Sequence, residues 1–335
     1  MTPTLYTSAN LAYLPQALVL LDSVRASNPQ CRLVLVLVDE LPDDEVLLGH
    51  LRSFDEVIIA RDLFGPSFAQ WIFGHDVVEA CTAVKGRALQ VLLDRGDVVY
   101  LDPDMAVFGA LDEFVAELEG ASVLLTPHLM MPESPGSPHI IDELSTLRHG
   151  VYNFGMYGVR SSAEGRAFAD WWTTRLEQYC INDVPNGLFT DQRWGDLVPT
   201  LFPSAVVCRH PGVNVASWNI HQRPFTMSSH GDYLVDGRPL ITFHFTKARN
   251  VGLQVSRVKM DDNPLVADVW RWYLERLEIH TEAVPIRRWA YADSVDGVPI
   301  DRERRRLFRQ RWGMPGLPDD PFALRSDDPW WTEAR

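Results

Sequence analysis

The stretch VVYLDPDMAVFGAL, residues 98–111, says most about the fold of this chain. Its apolar run Val98–Leu101 ends abruptly at the sequence Asp102-Pro103-Asp104, and a second apolar run follows. A short apolar run is typical of a strand that is buried on both faces of a parallel sheet, and Asp and Pro beside it indicate a turn. We therefore expect two carboxylates at the carboxyl end of a buried strand, where open α/β sheets bind ligands.

Strand-like and helix-like segments alternate along the rest of the chain. Such alternation predicts an α/β fold with a mostly parallel, mixed central sheet that is flanked by helices. The regularity weakens after Gly195, so we expect a main domain over residues 1–260 and a helical or irregular extension over 261–335 that packs on it. The predicted strands are Thr4–Ser8, Leu33–Val38, Glu56–Ala60, Asp97–Leu101, Ser122–Thr126, Tyr152–Val159 and Leu240–Phe245, and the predicted helices are Leu14–Val24, Asp43–Phe54, Glu79–Asp94, Gly165–Tyr179 and one that begins at Asn263-Pro264.

The segment Pro127–Gly150 is rich in Pro, Ser and His and predicts a long loop. Loops of that length in a compact domain are usually lids or binding loops.

Composition narrows the class of protein. The 335 residues are 46% hydrophobic and 23% charged, with a formal net charge of −14, which argues against a general nucleic-acid binder because phosphate backbones need a basic partner. The four cysteines are scattered without metal-site spacing, so we expect reduced thiols. No signal peptide and no run of about 20 apolar residues is visible, so we expect a cytoplasmic protein.

Asp102 and Asp104 can share a divalent cation if the chain bends between them, as Pro103 favours. Carboxylate oxygens are the ligands that Mn²⁺ and Mg²⁺ prefer, often together with phosphate oxygens. The alternative is a simple turn after a strand. The apolar runs on both sides favour a metal site.

The phrase YLDPDMAVFGALDEF resembles the DXD region of nucleotide-sugar glycosyltransferases with the GT-A fold, and is most similar to glycosyltransferase family 8, the galactosyltransferase and glycogenin group. The resemblance implies that Asp102 contacts the metal and the donor, and that Asp104 binds the metal. Three later segments follow in the order that this family has. They imply Asn153 and Gly155 beside the donor sugar, Asp191 and Gln192 beside the reacting carbon, His244 as third metal ligand and Lys247 on the diphosphate.

The resemblance also implies further donor contacts. Lys85, or Arg87, would supply a basic residue, and the alternative is a solvated helix face. The family often has an acidic residue after the first strand, and this sequence has none there, which leaves the base of the nucleotide open. The predicted contacts of base and ribose are Tyr6, Thr7, Ser8 and Asn10.

Two polar and aromatic segments stand closer to the carboxyl end. Trp218, Asn219 and His221 lie in a run that suits a sugar acceptor, which offers apolar faces and a rim of hydroxyls; the alternative is an ordered loop that packs Trp218 into the core. An arginine-rich run over 302–311 suits either peripheral contact with the inner face of a membrane or a solvated helix paired with acidic surface.

Together these features predict a metal-dependent glycosyltransferase that moves a sugar from a nucleotide diphosphate to an acceptor hydroxyl of a saccharide or glycolipid. The resemblance to family 8 implies retention of the anomeric configuration. Two alternatives are a sugar nucleotidyltransferase, which would need a Gly-rich basic loop after the first strand, and a non-catalytic relative that binds nucleotide sugars.

Overall fold

A computed structural model describes residues 2–248, 250–260 and 263–333. The strands of the fold are short, as is usual for buried strands in α/β proteins. In chain order they are β1 (Thr4–Ala9), β2 (Arg32–Leu37), β3 (Glu56–Ile59), β4 (Val98–Leu101), β5 (Met105–Val107), β6 (Val123–Pro127), β7 (Tyr152–Val159), β8 (Asn182–Asp183), β9 (Leu188–Phe189), β10 (Val206–Val207), β11 (Val215–Ala216), β12 (Phe225–Met227), β13 (Tyr233–Val235), β14 (Arg238–Pro239) and β15 (Thr242–His244).

Helices connect most of the strands of the central sheet. They are α1 (Leu14–Ser27), α2 (Glu45–Leu51), α3 (Ala60–Phe64), α4 (Phe68–Phe73), α5 (Val77–Leu93), α6 (Asp112–Glu119), α7 (Ile140–His149), α8 (Ala163–Tyr179), α9 (Gln192–Gly195), α10 (Val198–Leu201), α11 (Gly252–Lys259), α12 (Pro264–Ala283), α13 (Arg302–Gln310) and α14 (Trp330–Glu333).

The central sheet has seven strands in the order β10-β6-β7-β4-β1-β2-β3. β7 pairs antiparallel with both of its neighbours, β4 and β6, and the remaining pairs are parallel. The prediction of a mostly parallel, mixed sheet is therefore confirmed. A smaller sheet, β11-β15-β5, stands beside it and brings the late strand β15 next to the chain that leaves β4.

Helices cover both faces of the sheet because successive side chains of each buried strand point to opposite faces. On β1, Tyr6 joins the apolar cluster under α5 and α8, whereas Leu5 joins the cluster under α1 and α6. α5 and α8 lie close together at Gly86, where a Cβ atom would stand 2.8 Å from the Cα atom of Thr173. These two layers hold the strand ends in place.

The predicted loop over Pro127–Gly150 is wrong in its second half, which forms α7. Hydrophobic periodicity does not predict this helix, because the helix buries a polar residue, Asp142. Its apolar residues Ile141, Leu144 and Leu147 are between 42% and 68% exposed. A helix without a buried apolar stripe lacks the usual sequence signal.

The last 70 residues contribute to the core of the chain. Tyr273 of α12 stacks on Phe245 at 3.9 Å between ring centroids. Beyond α12, Trp289 donates a hydrogen bond to the carbonyl oxygen of Val38 at 2.8 Å. A boundary near residue 260 remains a prediction.

The arginine-rich run forms α13, and two of its arginines are buried. Arg305 donates to the carbonyl oxygens of Phe73, His75 and Tyr291 at 3.0, 2.8 and 2.7 Å, and Arg309 pairs with Glu79 at 3.2 Å. The interpretation of the run as a solvated helix is therefore wrong for these two residues, because they satisfy carbonyl and carboxylate groups inside the fold. Contact of the remaining arginines with a membrane stays a prediction; among the described residues, no helix has both the length and the apolar composition to cross a bilayer.

Candidate functional site

A cleft of ≈ 560 Å³ opens at the carboxyl end of β4. Its size falls within the usual range for small-molecule sites. α7 and α11 form part of its wall, and most of the residues predicted from the sequence line it. Those are Lys85, Asp102, Asp104, Asn153, Gly155, Asp191, Gln192, Trp218, His244 and Lys247.

Asp102, Asp104 and His244 converge on the floor of the cleft, with ligand atoms that all lie within 4.8 Å of one another. The two aspartates stand in the turn between β4 and β5, and β15 pairs with β5 so that His244 lies opposite Met105. The backbone amide of Phe245 donates to the carbonyl oxygen of Asp104 at 2.8 Å, which fixes this register. His244 Nε2 is 3.0 Å from Asp104 Oδ1 and 3.8 Å from Asp102 Oδ2.

These three side chains fit a divalent cation. Two carboxylates and one imidazole are a donor set that Mn²⁺ and similar ions accept. Space beside them is kept open by Gly155, where a Cβ atom would come within 2.5 Å of His244 Cε1 and 2.8 Å of Asp102 Oδ2. Although burial opposes charge on both side chains, their interaction lowers the pKa of Asp104 and raises that of His244. The carboxylate of Asp104 is therefore held ionised, and a cation would displace the proton of His244 on binding.

A buried lysine neutralises the carboxylates beside the cation site. Lys85 Nζ lies 2.9 Å from Asp191 Oδ2 and 3.2 Å from Asp102 Oδ1, and it donates to the carbonyl oxygen of Phe154 at 3.1 Å. Burial disfavours its charge, but the carboxylates of Asp102 and Asp191 outweigh this effect and raise the pKa of Lys85. Burial also raises the pKa of Asp191. Lys85 therefore keeps its positive charge beside Asp102 and Asp191, although its own side chain is only 5% exposed.

Side-chain amides form one wall. Asn153 Nδ2 donates to Gln192 Oε1 at 2.8 Å, and Asn153 Oδ1 accepts from Gly155 N and from Asn214 Nδ2, both at 3.1 Å. Just before Asp191, Thr190 has a φ of 44°, in the left-handed region that non-glycine residues rarely adopt. Such local strain is often found at functional sites.

The predicted acceptor residues divide into one that lines the cleft and two that support it. The indole of Trp218 lies edge-on to the rings of His244 and His128, at 5.1 and 5.4 Å between centroids. Asn219 is fully buried and holds the backbone of its own loop through Asn214 O and Ala216 N. His221 donates to Glu133 at 2.6 Å and does not line the cleft. Their role in binding an acceptor remains a prediction.

The predicted donor residues also divide. Ser8 and Asn10 line a smaller cavity of ≈ 300 Å³, which shares Lys85 and the two metal-site aspartates with the main cleft. Tyr6 and Thr7 are fully buried and line neither cavity. The hydroxyl of Tyr6 instead donates to the carbonyl oxygen of Lys85 at 3.2 Å.

Arg87 and Lys247 are the two remaining basic residues among the predicted donor contacts. Arg87 pairs with Glu177 on α8, as a surface residue of the helix would. Lys247 is exposed at the mouth of the cleft with a φ of 55°.

Some residues of the site were not predicted from the sequence. Tyr100 donates to Asp102 Oδ1 at 2.8 Å, and its place two residues before Asp102 on a strand puts it on the same face, so this contact was predictable. Asp142, Thr146 and Lys259 reach the cleft from α7 and α11, and no local pattern predicted their approach.

Comparisons with known proteins show likeness to glycosyltransferases. No family model matches the chain. The uncharacterized protein YfnF of Bacillus subtilis (strain 168) is 28% identical over 219 residues, which span 63% of this chain and 71% of YfnF. The galactosyltransferase LgtC, solved with donor and acceptor sugar analogs, matches 85% of this chain and 97% of its own at 16% identity and a TM-score of 0.49. The glycosyltransferase GlyE of Streptococcus pneumoniae TIGR4 matches 85% of this chain and 66% of its own at 14% identity and a TM-score of 0.45.

Both solved proteins are glycosyltransferases, and neither comparison distinguishes family 8. At these levels of similarity, the function proposed below rests on the geometry of the cleft.

Proposed function

We propose that the chain is a metal-dependent glycosyltransferase of GT-A type, which transfers a sugar from a nucleotide diphosphate to an acceptor hydroxyl. The observation that carries the proposal is the convergence of Asp102, Asp104 and His244 in a cleft next to the buried pair Lys85–Asp191. A diphosphate needs positive charge, whereas a sugar needs carboxylate and amide partners. The cleft offers both within one cavity.

Asp102, Asp104 and His244 would hold Mn²⁺ or Mg²⁺. A divalent cation supplies Lewis-acid stabilisation of the negative charge on the leaving diphosphate. Lys247 at the mouth of the cleft would add a positive charge to the same phosphates. Ser8 and Asn10 would face the nucleoside from the smaller cavity.

The sugar would lie against the amide wall. Asn153 and Gln192 are hydrogen-bonded to each other at 2.8 Å, and Gln192 Nε2 also donates to the carbonyl oxygen of His149 at 3.3 Å, so both side chains are held in place before a sugar binds. Positioning of the anomeric carbon against the acceptor hydroxyl is then the main contribution of the protein to the rate. Trp218 offers an aromatic face to the acceptor.

The surroundings of Asp191 support retention of configuration. An inverting reaction would need a carboxylate base that is free to accept the proton of the acceptor, and Asp191 is the candidate that the sequence offers. Its Oδ2 atom is bound by Lys85 and its Oδ1 atom accepts from Thr190 Oγ1 at 3.2 Å, in a side chain that is only 4% exposed. Nuclear magnetic resonance of the product, which reads the anomeric coupling directly, tests this point.

A thermal-shift screen of nucleotide diphosphates and their sugars, each with and without Mn²⁺, tests the proposed function. A ligand that binds only the folded state at 100 times its dissociation constant raises stability by about 2.7 kcal/mol. Stabilisation by one nucleotide family, only with metal, followed by sugar transfer, would support the proposal and name the base. Formation of nucleotide sugar and pyrophosphate from a sugar phosphate and a nucleoside triphosphate would favour a nucleotidyltransferase. Metal-dependent binding without turnover would favour a non-catalytic relative.

A further inference from the structure

A second cluster of metal-ligating side chains lies apart from the cation site of the cleft floor. Its members are His139, Asp142 and His221, whose ligand atoms all lie within 4.8 Å of one another. His139 Nδ1 and His221 Nδ1 each stand 3.9 Å from the same atom, Asp142 Oδ2, and the two imidazole rings stack at 4.0 Å between centroids. Neither distance is a hydrogen bond, so the three groups face one another without bonding.

The hydrogen bonds around Glu133 decide which nitrogen of His221 is free. Glu133 accepts from His221 Nε2 at 2.6 Å, from Gln222 Nε2 at 2.7 Å and from Ser137 Oγ at 2.7 Å. A carboxylate that accepts three hydrogen bonds is held in its ionised form, so His221 Nε2 carries the proton. In the neutral imidazole, Nδ1 then presents its lone pair.

That lone pair is buried and unused. The side chain of His221 is only 6% exposed, and its Nδ1 atom has no hydrogen-bond partner within the described ranges 2–248, 250–260 and 263–333. A buried acceptor without a partner destabilises the fold, because it loses its hydration and gains no hydrogen bond in return. Metal-bound histidines usually donate their other nitrogen to a carboxylate, which fixes the tautomer as Glu133 does here.

We propose that His139, Asp142 and His221 form a second metal site that binds a transition-metal cation such as Zn²⁺. Two imidazoles and one carboxylate, with a water molecule in the fourth position, are a donor set that Zn²⁺ accepts in tetrahedral geometry. Such an ion would draw the ligand atoms closer than they stand here, and rotation of His139, whose side chain is 28% exposed, allows this.

Lys259 is compatible with that cation. Its Nζ atom lies 2.7 Å from both carboxylate oxygens of Asp142, so Lys259 competes with the metal for this carboxylate. Each carboxylate oxygen has two lone-pair directions, which lets Asp142 keep Lys259 on one side and face a cation on the other. With neutral histidines, Asp142 and Glu133 together offset the charge of Lys259 and leave one negative charge for the metal.

The consequence of metal binding concerns the wall of the cleft. His139 precedes α7 and Asp142 lies in its first turn, whereas His221 belongs to the turn Ile220–Gln222 after β11. An ion shared by these residues would tie α7 to a distant part of the chain. The inner face of α7, with Thr146 and His149, lines the main cleft, so the second site would fix the shape of that wall.

Zinc content of the full-length chain tests the proposal independently of any enzymatic activity. The chain is treated with EDTA, dialysed against excess Zn²⁺ and analysed for bound metal, in a background of Asp104→Asn that disables the cation site of the cleft floor. We expect His221→Gln to remove one equivalent of zinc from this background, and His139→Asn to do the same. His230→Gln, at an exposed histidine, is the matched control and should remove none.

Hydrogen exchange gives a second readout. Zn²⁺ should slow exchange of the backbone amides of residues 140–149 in the Asp104→Asn background, and His221→Gln should abolish the effect. Equal zinc content with and without His221 and His139, or binding that His230→Gln reduces equally, would overturn the proposal, since either result means that zinc binds elsewhere. Circular dichroism of each variant shows whether the fold is retained, and His139, being partly exposed, keeps the test valid if His221→Gln does not fold.

Discussion

Lys85→Met removes the cation that three acceptors of the cleft share. Lysine has three N–H donors, and Lys85 uses them on Asp191, Asp102 and the carbonyl oxygen of Phe154. Both Lys85 and Asp191 have side chains that are no more than 5% exposed. Methionine fills a similar volume without charge, so the variant isolates the electrostatic loss. Breaking a buried ion pair by removal of one partner costs about 3–5 kcal/mol, and we expect a loss of unfolding free energy in that range at pH 8.

The loss should depend on pH because Asp191 can protonate once Lys85 is gone. Burial already raises the pKa of Asp191 in the intact chain, and the variant lacks the ammonium group that opposes this effect. A carboxyl whose folded pKa lies above its unfolded pKa contributes stability that is complete below the unfolded value and lost as pH rises through the folded value. The deficit of Lys85→Met should therefore be smaller at pH 5 than at pH 8.

Urea denaturation of the chain and of Lys85→Met at both pH values measures the effect. Asp191→Asn in the Lys85→Met background should recover part of the stability at pH 8, because it removes the unpaired carboxylate. A deficit below about 0.5 kcal/mol at pH 8, which is the range of ordinary surface substitutions, would refute the view that this ion pair neutralises the site. A deficit that grows toward pH 5 would contradict the assignment of the effect to Asp191.

Three further outcomes follow from the packing. Gly155→Ala should abolish metal-dependent donor binding and cost about 1–3 kcal/mol in stability, because the added Cβ atom collides with His244. Calorimetric titration with donor and Mn²⁺ measures the binding, and the control Gly158→Ala on the same strand should retain it. Burial holds the pKa of His75 well below its usual value, so only the unfolded chain takes up a proton there, and the unfolding free energy should fall by about 1.4 kcal/mol per pH unit below pH 6.5. Urea midpoints of His75→Gln should depend less steeply on pH than those of the chain itself. An equal dependence on pH would remove His75 as a cause. Arg305→Met leaves buried carbonyl oxygens without a donor and should cost about 3 kcal/mol or more in thermal unfolding; a loss no larger than that of Arg325→Met at the surface would contradict the assigned role.

Local sequence predicted those parts of the site that follow from a strand and its turn. Asp102 and Asp104 were found because an apolar strand stops at them, and this edge of an α/β sheet is where ligands bind. The helices with a buried apolar stripe, such as α5 and α8, were predicted within a few residues of their bounds for the same kind of reason. His244 could be assigned to the cation site only through the resemblance to glycosyltransferases, because a histidine in a strand does not indicate which turn of the chain it will contact.

Contacts across long separations in the chain could not be predicted. Lys85 and Asp191 are 106 residues apart, and either one alone suits a surface helix or a turn. α7 was missed because it turns Asp142 inward and apolar side chains outward, the reverse of the pattern by which helices are recognised. Arg305 was expected outside because arginine is seldom buried without partners, and its partners are backbone carbonyls that no pattern of side chains reveals.

In the proposed function, Asp104 helps hold the cation through which the chain binds a nucleotide-sugar donor. Isothermal titration of nucleotide diphosphates, with and without Mn²⁺, into the chain, Asp104→Asn and the control Asp112→Asn tests it most directly, because Asp112 is an exposed aspartate eight residues away. We expect metal-dependent binding to the chain and to Asp112→Asn, and its loss in a folded Asp104→Asn. Metal-dependent binding that Asp104→Asn leaves unchanged would contradict it.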